Sequence, residues 1–334
     1  MWIVGREGRM GRVNAWYMTS GEAGFRTQAR GLATAVAGEA RELVVGLRKP
    51  WSALPGAWAA PFALLGLSAD SDRPAPPWPD LVVSCGRRAT ALAIAVRRAS
   101  RGKTLAVHVQ NPLTAVSAFD LVVAMDHDRI SGPNVLSVPT ALHDVTPAKL
   151  AAAAEAWRAR LARSGRPLIG VMLGGTTRHH PFEAAEAQGL IERLQAVRRA
   201  TGAAIAVTPS RRTPEAARDR FTETLAGDPD AYLWDLAGDN PYLGILALAD
   251  RLVVTSDSVS MISEALATPH PVEVFGADGG RRHAEFLNGL IVKGLVRRFE
   301  GDPVPPPASG PVDSTALAAK AVRALLQARE TASG

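Results

Sequence analysis

Short, unbroken apolar runs alternate with longer stretches of helical spacing along most of the chain. "VNAWYM" (13–18), "DLVVSC" (80–85), "TLAVHV" (104–109) and "DLVVAM" (120–125) read as strands in the first half. "PLIGVML" (167–173), "AAIAVT" (203–208), "RLVVTS" (251–256) and "PVEVF" (271–275) do so in the second. These runs are rich in β-branched residues and do not alternate with polar ones, which suits strands covered on both faces. Helical spacing occupies 27–37, 87–99, 182–200, 213–226 and 258–267. The pattern predicts an α/β protein with doubly wound parallel sheets.

The 334 residues exceed one typical core, so two domains of roughly 150 residues are expected. A break near "ARSGRP" (162–167) follows an Ala-rich helix at 147–163. It divides the chain into a first domain over 1–163 and a second over 164–300, with a tail at 301–334. The tail joins a Pro-rich stretch, "GDPVPPPASGP" (301–311), to a final helix at 313–329. One segment interrupts the pattern: "LRKPWSALPGAWAAPFALLGL" (47–67), with Trp51, Trp58 and Phe62 behind Arg48 and Lys49. It reads either as a helix or loop packed on the first domain, or as an amphipathic patch on an acidic membrane surface.

Composition narrows the partners. Hydrophobic residues make up 47% and charged residues 21%, enough apolar material for two cores. A net charge of +6 favours an anionic partner, but the charges are scattered and no nucleic-acid-binding motif appears, so none is expected. Cys85 is the single cysteine, at the end of an apolar run, and reads as a buried small residue. The opening residues lack the apolar core of about 7–15 residues of a signal peptide. No run reaches the roughly 18 apolar residues of a membrane span. A cytoplasmic protein is expected, with the inner face of the membrane as its peripheral site.

Candidate chemistry lies in the loops after the strands, where free backbone N–H groups and helix dipoles converge. "TSGEAGFRTQARGLA" (19–33) offers Gly21 and Gly24 for close turns, with Gln28 facing out of the first helical turns. Its spacing is not Gly-x-Gly-x-x-Gly, which disfavours a nicotinamide cofactor, and no cofactor is expected. "GGTTRHH" (174–180) offers Gly174 and Gly175 as exposed backbone, Thr176 as a hydroxyl and Arg178 as an anion partner. Its adjacent His179 and His180 are poorly spaced for one ion, so no metal is expected. "TPSRRTPEAA" (208–217) leaves Ser210 and Arg211 at a strand end, beyond what a helix cap requires.

The fourth loop, in "TSDSVSMISEAL" (255–266), opens with "SDSVS" (256–260), three serines and an Asp where a cap needs one hydroxyl. Ser258 is the N-cap; Ser256, Asp257, Ser260 and Met261 complete a phosphate-suited helix start. Ser260 and Glu264 are four apart and share a face, opposite Val259, Ile262 and Leu266. A carboxylate one turn beyond a phosphate-holding helix start is placed to accept both hydroxyls of a ribose.

These stretches resemble a known family. "TPSRRTP" (208–214) and "NPYLGILALADRLVVTSDSVSMISEALATPHPVEVF" (240–275) resemble the signature regions of the elongated-mitochondria fission-factor family. Its bacterial branch once carried the label of nucleoside-diphosphate-sugar epimerases. "GEAGFRTQARGLA", "VQNPL", "FDLVVAMDHD", "GGTTRHH" and "EFLNGLIVKGLVRRF" match as well, so the resemblance spans about 13–300. The family resembles GT-B glycosyltransferases, in which two Rossmann-like domains face each other across a cleft. The resemblance implies a nucleotide-sugar donor on the second domain, with Ser256, Ser258 and Ser260 near the diphosphate. Gly174, Gly175 and Ser210 would line the same cleft, and Glu264 would contact the ribose. The chain departs from the family pattern at Phe25, Asn111 and His270, where His, Asp and Lys are usual.

Three functions follow as expectations. The first is a GT-B-type glycosyltransferase acting on a lipid or cell-envelope acceptor, with Glu22, His108 and Asp128 as candidate bases. The second is a non-catalytic recruitment protein at a membrane surface, built on the same scaffold. The third is a nucleotide-sugar epimerase. Fold alone does not choose among them.

Overall fold

The computed structural model describes residues 13–162, 165–177 and 181–333. The chain divides into two compact units, Met1–Asp144 with Ser314–Gly334, and Val145–Asp313.

The first unit runs β1 (Ala15–Thr19), α1 (Ala23–Ala37), β2 (Arg41–Val44), the short helix α2 (Gly56–Ala59), β3 (Leu81–Cys85), α3 (Arg87–Ala99), β4 (Leu105–Val109), β5 (Leu121–Met125) and β6 (Val135–Val138). Its six strands are parallel, in the order β2-β1-β3-β4-β5-β6. Every residue of β1, β3, β4 and β5 is buried, as their unbroken apolar sequences require. Alternate side chains feed two cores. Tyr17, Leu81, Val83 and Val107 pack beneath α1 with Leu32, whereas Trp16, Met18 and Val82 pack against Leu92 and Ile94 of α3.

The second unit runs α4 (Pro147–Leu161), β7 (Leu168–Leu173), α5 (Ala184–Thr201), β8 (Ala204–Pro209), α6 (Glu215–Leu225), β9 (Ala231–Leu233), α7 (Tyr242–Leu248), β10 (Arg251–Thr255), α8 (Val259–Leu266), β11 (Val272–Phe275), α9 (Arg281–Val292) and β12 (Arg297–Arg298). Its parallel order is β12-β11-β10-β7-β8-β9. Val171, Leu173 and Val253 meet Phe182, Leu190 and Phe221 on one face. Met172, Leu252 and Val254 meet Trp157, Ile245 and Ile262 on the other. Burying each such side chain contributes about 1.5–3 kcal/mol, so these two layers hold the sheet rigid beneath its loops.

The unit boundary falls at 144/145, not at the expected 163/164. Thr146 caps α4, and Trp157 and Leu161 dock its single apolar stripe in the core shared with Ile245 and Leu246 of α7. The last helix, α10 (Ser314–Ser333), returns to the first unit. Ser314 Oγ lies 2.6 Å from Thr140 Oγ1, and Thr315 Oγ1 accepts the His143 N–H at 2.9 Å. Val322 and Leu326 then enter the core beneath α1.

Each sheet has a point where the strand order reverses. It lies between β1 and β3 in the first unit and between β7 and β10 in the second. Beyond the carboxyl ends of such strands, open α/β sheets hold their ligands.

Candidate functional site

At the β7/β10 switch point the loops are tied to one another. Thr255 Oγ1 accepts the Gly174 N–H and donates to Asp257 Oδ1, both at 2.7 Å. Asp257 Oδ2 accepts the Gly175 N–H at 3.0 Å and the Arg212 guanidinium at 3.3 Å. Ser210 Oγ donates to the Gly174 carbonyl at 3.0 Å, and Thr213 Oγ1 donates to that same carbonyl. The Asp257 side chain is fully enclosed, and a cation with two further donors meets the requirement of a buried charge. A Cβ at Gly174 would lie 2.1 Å from the Asp257 carboxylate, and one at Gly175 would lie 2.2 Å from the Arg212 carbonyl. Loop-to-loop packing therefore dictates both glycines.

These groups, expected to face a ligand, hold one another in this structure. Gly174, Gly175, Ser210 and Asp257 direct their hydrogen bonds at each other. Thr176 Oγ1 donates to Glu183 at 2.7 Å and accepts the Phe182 N–H at 3.1 Å, so it closes its own loop. Arg178, with His179 and His180, lies outside the described residues. Ser256 is buried; its hydroxyl donates to the Ala277 carbonyl at 2.6 Å, and its own carbonyl pairs with the His283 ring.

What remains open sits at the start of α8. Ser258 caps the helix, its Oγ accepting the Met261 N–H at 3.4 Å. The N–H groups of Val259 and Ser260, and the Ser260 hydroxyl, have no hydrogen-bond partner among the described residues. They are the orphan donors of a helix start, aligned with its dipole. Met261 and Glu264 are half-buried, and Glu264 accepts a hydrogen bond from the Tyr242 hydroxyl at the start of α7. Arg211 is exposed and has no carboxylate partner among the described residues, unlike Arg212. Beside Asp257 a cavity of about 370 Å³ is lined by Thr177, Gly279, Gly280, Arg281, Arg282 and His283.

Sequence reasoning missed that last loop. Its signal was present: "ADGGRRH" (277–283) follows a strand and combines a glycine pair like that at 174–175 with an arginine pair like that at 211–212. Tyr242, Thr213 and Thr255 lie inside the quoted stretches, but their roles show only in their hydrogen bonds.

In the first unit the candidates separate. Gly21 has φ of 96° and Gly24 is exposed. Gln28, expected to face outward, is buried; it donates to the Gly24 carbonyl at 3.2 Å and accepts from Gln110 at 3.3 Å. It fastens α1 to the loop after β4. His108 is fully buried in β4, with Nδ1 2.8 Å from Ser84 Oγ and its ring 5.0 Å from Phe119. Burial pushes its pKa down to about 3, so the ring is a neutral core group rather than an accessible base. The Asp128 carboxylate is enclosed and accepts the Met125 N–H at 3.2 Å, closing a turn. Glu22 alone stays accessible at a strand end. The Ser20 hydroxyl, with a smaller contribution from Arg88, holds its carboxyl below the usual carboxylate range.

Two doubly wound parallel sheets, each with loops converging at a switch point, define a GT-B-like protein, and solved structures agree. UDP-GlcNAc 2-epimerase from Methanocaldococcus jannaschii matches with a TM-score of 0.55 at 12% identity, covering 93% of this chain and 99% of that one. A putative UDP-N-acetylglucosamine 2-epimerase from Listeria monocytogenes matches with a TM-score of 0.52 at 13% identity, covering 96% and 97%. Residues 23–326 match the mitochondrial fission ELM1 family, and the chain belongs to it. Mitochondrial fission protein ELM1 of Arabidopsis thaliana is 32% identical over 277 residues, 75% of this chain. That match spans 65% of the relative's own length.

Proposed function

We propose that the second unit binds a nucleoside diphosphate sugar at the β7/β10 switch point and that the protein transfers the sugar to a lipid or cell-envelope acceptor. The observation that carries this reading is the set of unpartnered donors at the start of α8, the amides of Val259 and Ser260 with the Ser260 hydroxyl. They suit the phosphates, and Glu264, oriented by Tyr242, suits the ribose hydroxyls. Arg211, Arg281 and Arg282 add positive charge where a departing diphosphate would develop negative charge. The fold shared with enzymes named for a UDP-sugar substrate supports the donor class.

Calorimetry on the full chain tests the reading. At least one of UDP, GDP, ADP and CDP is expected to bind, and silence from all four at millimolar concentration would sink it. A ligand at 100 times its Kd should also raise stability by about 2.7 kcal/mol in a thermal-shift screen.

A second reading, recruitment at a membrane surface without catalysis, has its own support. Of the three candidate bases His108 is a core group and the Asp128 carboxylate is enclosed in a turn, and the relative from Arabidopsis is named for fission rather than for a reaction. Both readings use the segment 47–67 as a contact with acidic membrane. Trp58 is 72% exposed and Leu65 is 83% exposed there, alongside Arg48 and Lys49. No described helix is long and apolar enough to cross a membrane. Pelleting with acidic vesicles should fall when Trp58 and Leu65 become Ser; equal pelleting by the variant returns the segment to a purely structural role.

A further inference from the structure

We propose that the β1/β3 switch point of the first unit is a binding site for one phosphate-headed amphiphile. This extends the membrane-surface part of the reading above and does not depend on nucleotide binding. A cavity of about 640 Å³ lies there, within the usual size of small-molecule sites. Its polar end is made by Ser20 and Glu22, which follow β1, and by Arg87 and Arg88, which follow β3. Its apolar wall comes from the segment after β2, through Leu47, Trp51 and Leu54, and from Phe25 of α1.

The charges select an anion. Arg88 shares its charge with Glu22 at 3.7 Å, while Arg87 has no carboxylate partner among the described residues. Two guanidiniums against one carboxylate leave an excess of positive charge along the cavity lining, and Arg48 and Lys49 stand between Leu47 and Trp51 in the sequence. A pair of guanidiniums matches the several acceptor oxygens of a phosphate, more than the one carboxylate present can satisfy.

The apolar side continues outward. The Trp51 ring stacks on Phe62 with centroids 4.4 Å apart and planes 16° apart. A Cβ at Gly66 would stand 2.4 Å from the Trp51 ring, so the wall is packed from behind and preformed. Phe62, Trp58 and Leu65 then carry the apolar surface into solvent. Cations at the strand ends, an aromatic wall and an exposed apolar rim follow the polarity of a molecule with a phosphate head and a hydrocarbon body. A free phosphate would use the first of these features and none of the others.

The test uses the full chain and dihexanoyl phosphatidic acid below its micelle concentration, with inorganic phosphate as the headless control. The short-chain lipid should bind one to one, and inorganic phosphate at equal concentration should not. Arg87→Ser with Arg88→Ser should weaken lipid binding at least tenfold while leaving nucleotide binding intact. Glu22→Gln, which removes the competing charge, should tighten it. Trp58→Ser should reduce vesicle pelleting but leave binding of the soluble lipid unchanged. The proposal is overturned if the soluble lipid does not bind, if the double arginine variant binds it as well as the parent, or if inorganic phosphate binds equally well. Vesicle pelleting without soluble-lipid binding would overturn the pocket and leave the membrane patch standing.

Discussion

At the β7/β10 switch point of the second unit the loops close on each other, whereas at the β1/β3 switch point of the first they stand apart. The second has Asp257 enclosed beneath three donors, with Gly174 and Gly175 packed too tightly for any side chain. The first has Glu22 half exposed, 3.7 Å from Arg88 at the edge of a cavity of about 640 Å³. The same parallel-sheet geometry thus yields a rigid cradle in one unit and an open pocket in the other. The cradle spends the Gly174 and Gly175 N–H groups on its own loops and leaves the Val259 and Ser260 amides without a partner among the described residues. An open, charged pocket with an apolar wall tolerates variation in the body of its ligand.

The largest expected effect tests whether the cradle is what holds the second unit's loops. Asp257→Ala leaves the Gly175 N–H and the Thr255 hydroxyl without their acceptor, at about 1–3 kcal/mol each, while the exposed Arg212 returns to water. Glu22→Ala at the other switch point removes a solvent-screened pair and should cost at most about 1 kcal/mol. Urea unfolding of both variants measures the contrast. Equal midpoints would mean that the difference between the two loop sets is cosmetic.

Next in size is the nucleotide contact. Glu264→Gln keeps the shape of the side chain but weakens charge-assisted bonds to two ribose hydroxyls, costing about 1.5–3 kcal/mol. That corresponds to roughly 10- to 150-fold in affinity. Tyr242→Phe, which removes one hydrogen bond that orients Glu264, should cost about 1 kcal/mol, or roughly fivefold. A 2′,3′-dideoxy nucleotide should bind the parent weakly and lose little more in either variant. If ribose and dideoxy forms keep the parent's ratio in Glu264→Gln, the carboxylate is structural and the ribose assignment fails.

The sequence exposed central elements and hid peripheral ones, for physical reasons. β3, β4, β5, β7, β8 and β10 are covered on both faces, and their apolar runs are unmistakable. β2 ("RELV") and β9 ("AYL") lie at sheet edges with partly exposed residues, so no pattern marks them. α7 ("YLGILAL") is nearly all apolar and has no polar face to reveal helical spacing. The return of α10 to the first unit depends on Ser314 meeting Thr140, a contact between residues 174 positions apart. The site divides the same way. Loop chemistry located the strand ends correctly at 174–176, 210–212 and 256–260. Whether a serine or an Asp faces a ligand or a neighbouring loop is decided by packing. Thus Ser260 remains open whereas Ser256 and Asp257 turn inward.

The smallest expected effect concerns buried charge, in which the two units also differ. The second unit buries ionised groups with partners: Asp257 with Arg212, and Glu273 with Arg251 and Arg297. The first buries His108 without charge, and its Nε2 has no hydrogen-bond partner among the described residues. Folded, His108 has a pKa of about 3; unfolded, it returns to the ordinary value of about 6.5. Between these values the unfolded chain takes up a proton that the folded chain refuses. The contribution of His108 is therefore most favourable above pH 6.5 and is lost as pH falls, by about 1 kcal/mol between pH 6.5 and 5.5. His270 in the second unit is also held low by burial, but Asp250 opposes the shift, so its share should be smaller. His108→Leu isolates the effect, because Ser84 keeps a second acceptor in the Val107 carbonyl at 3.3 Å. In urea titrations, the stability of the parent relative to this variant should drop by about 1 kcal/mol over that unit of pH. A difference that stays constant from pH 7.5 to 5.5 would mean that His108 takes up its proton inside the fold. The core of the first unit would then tolerate charge as the second does.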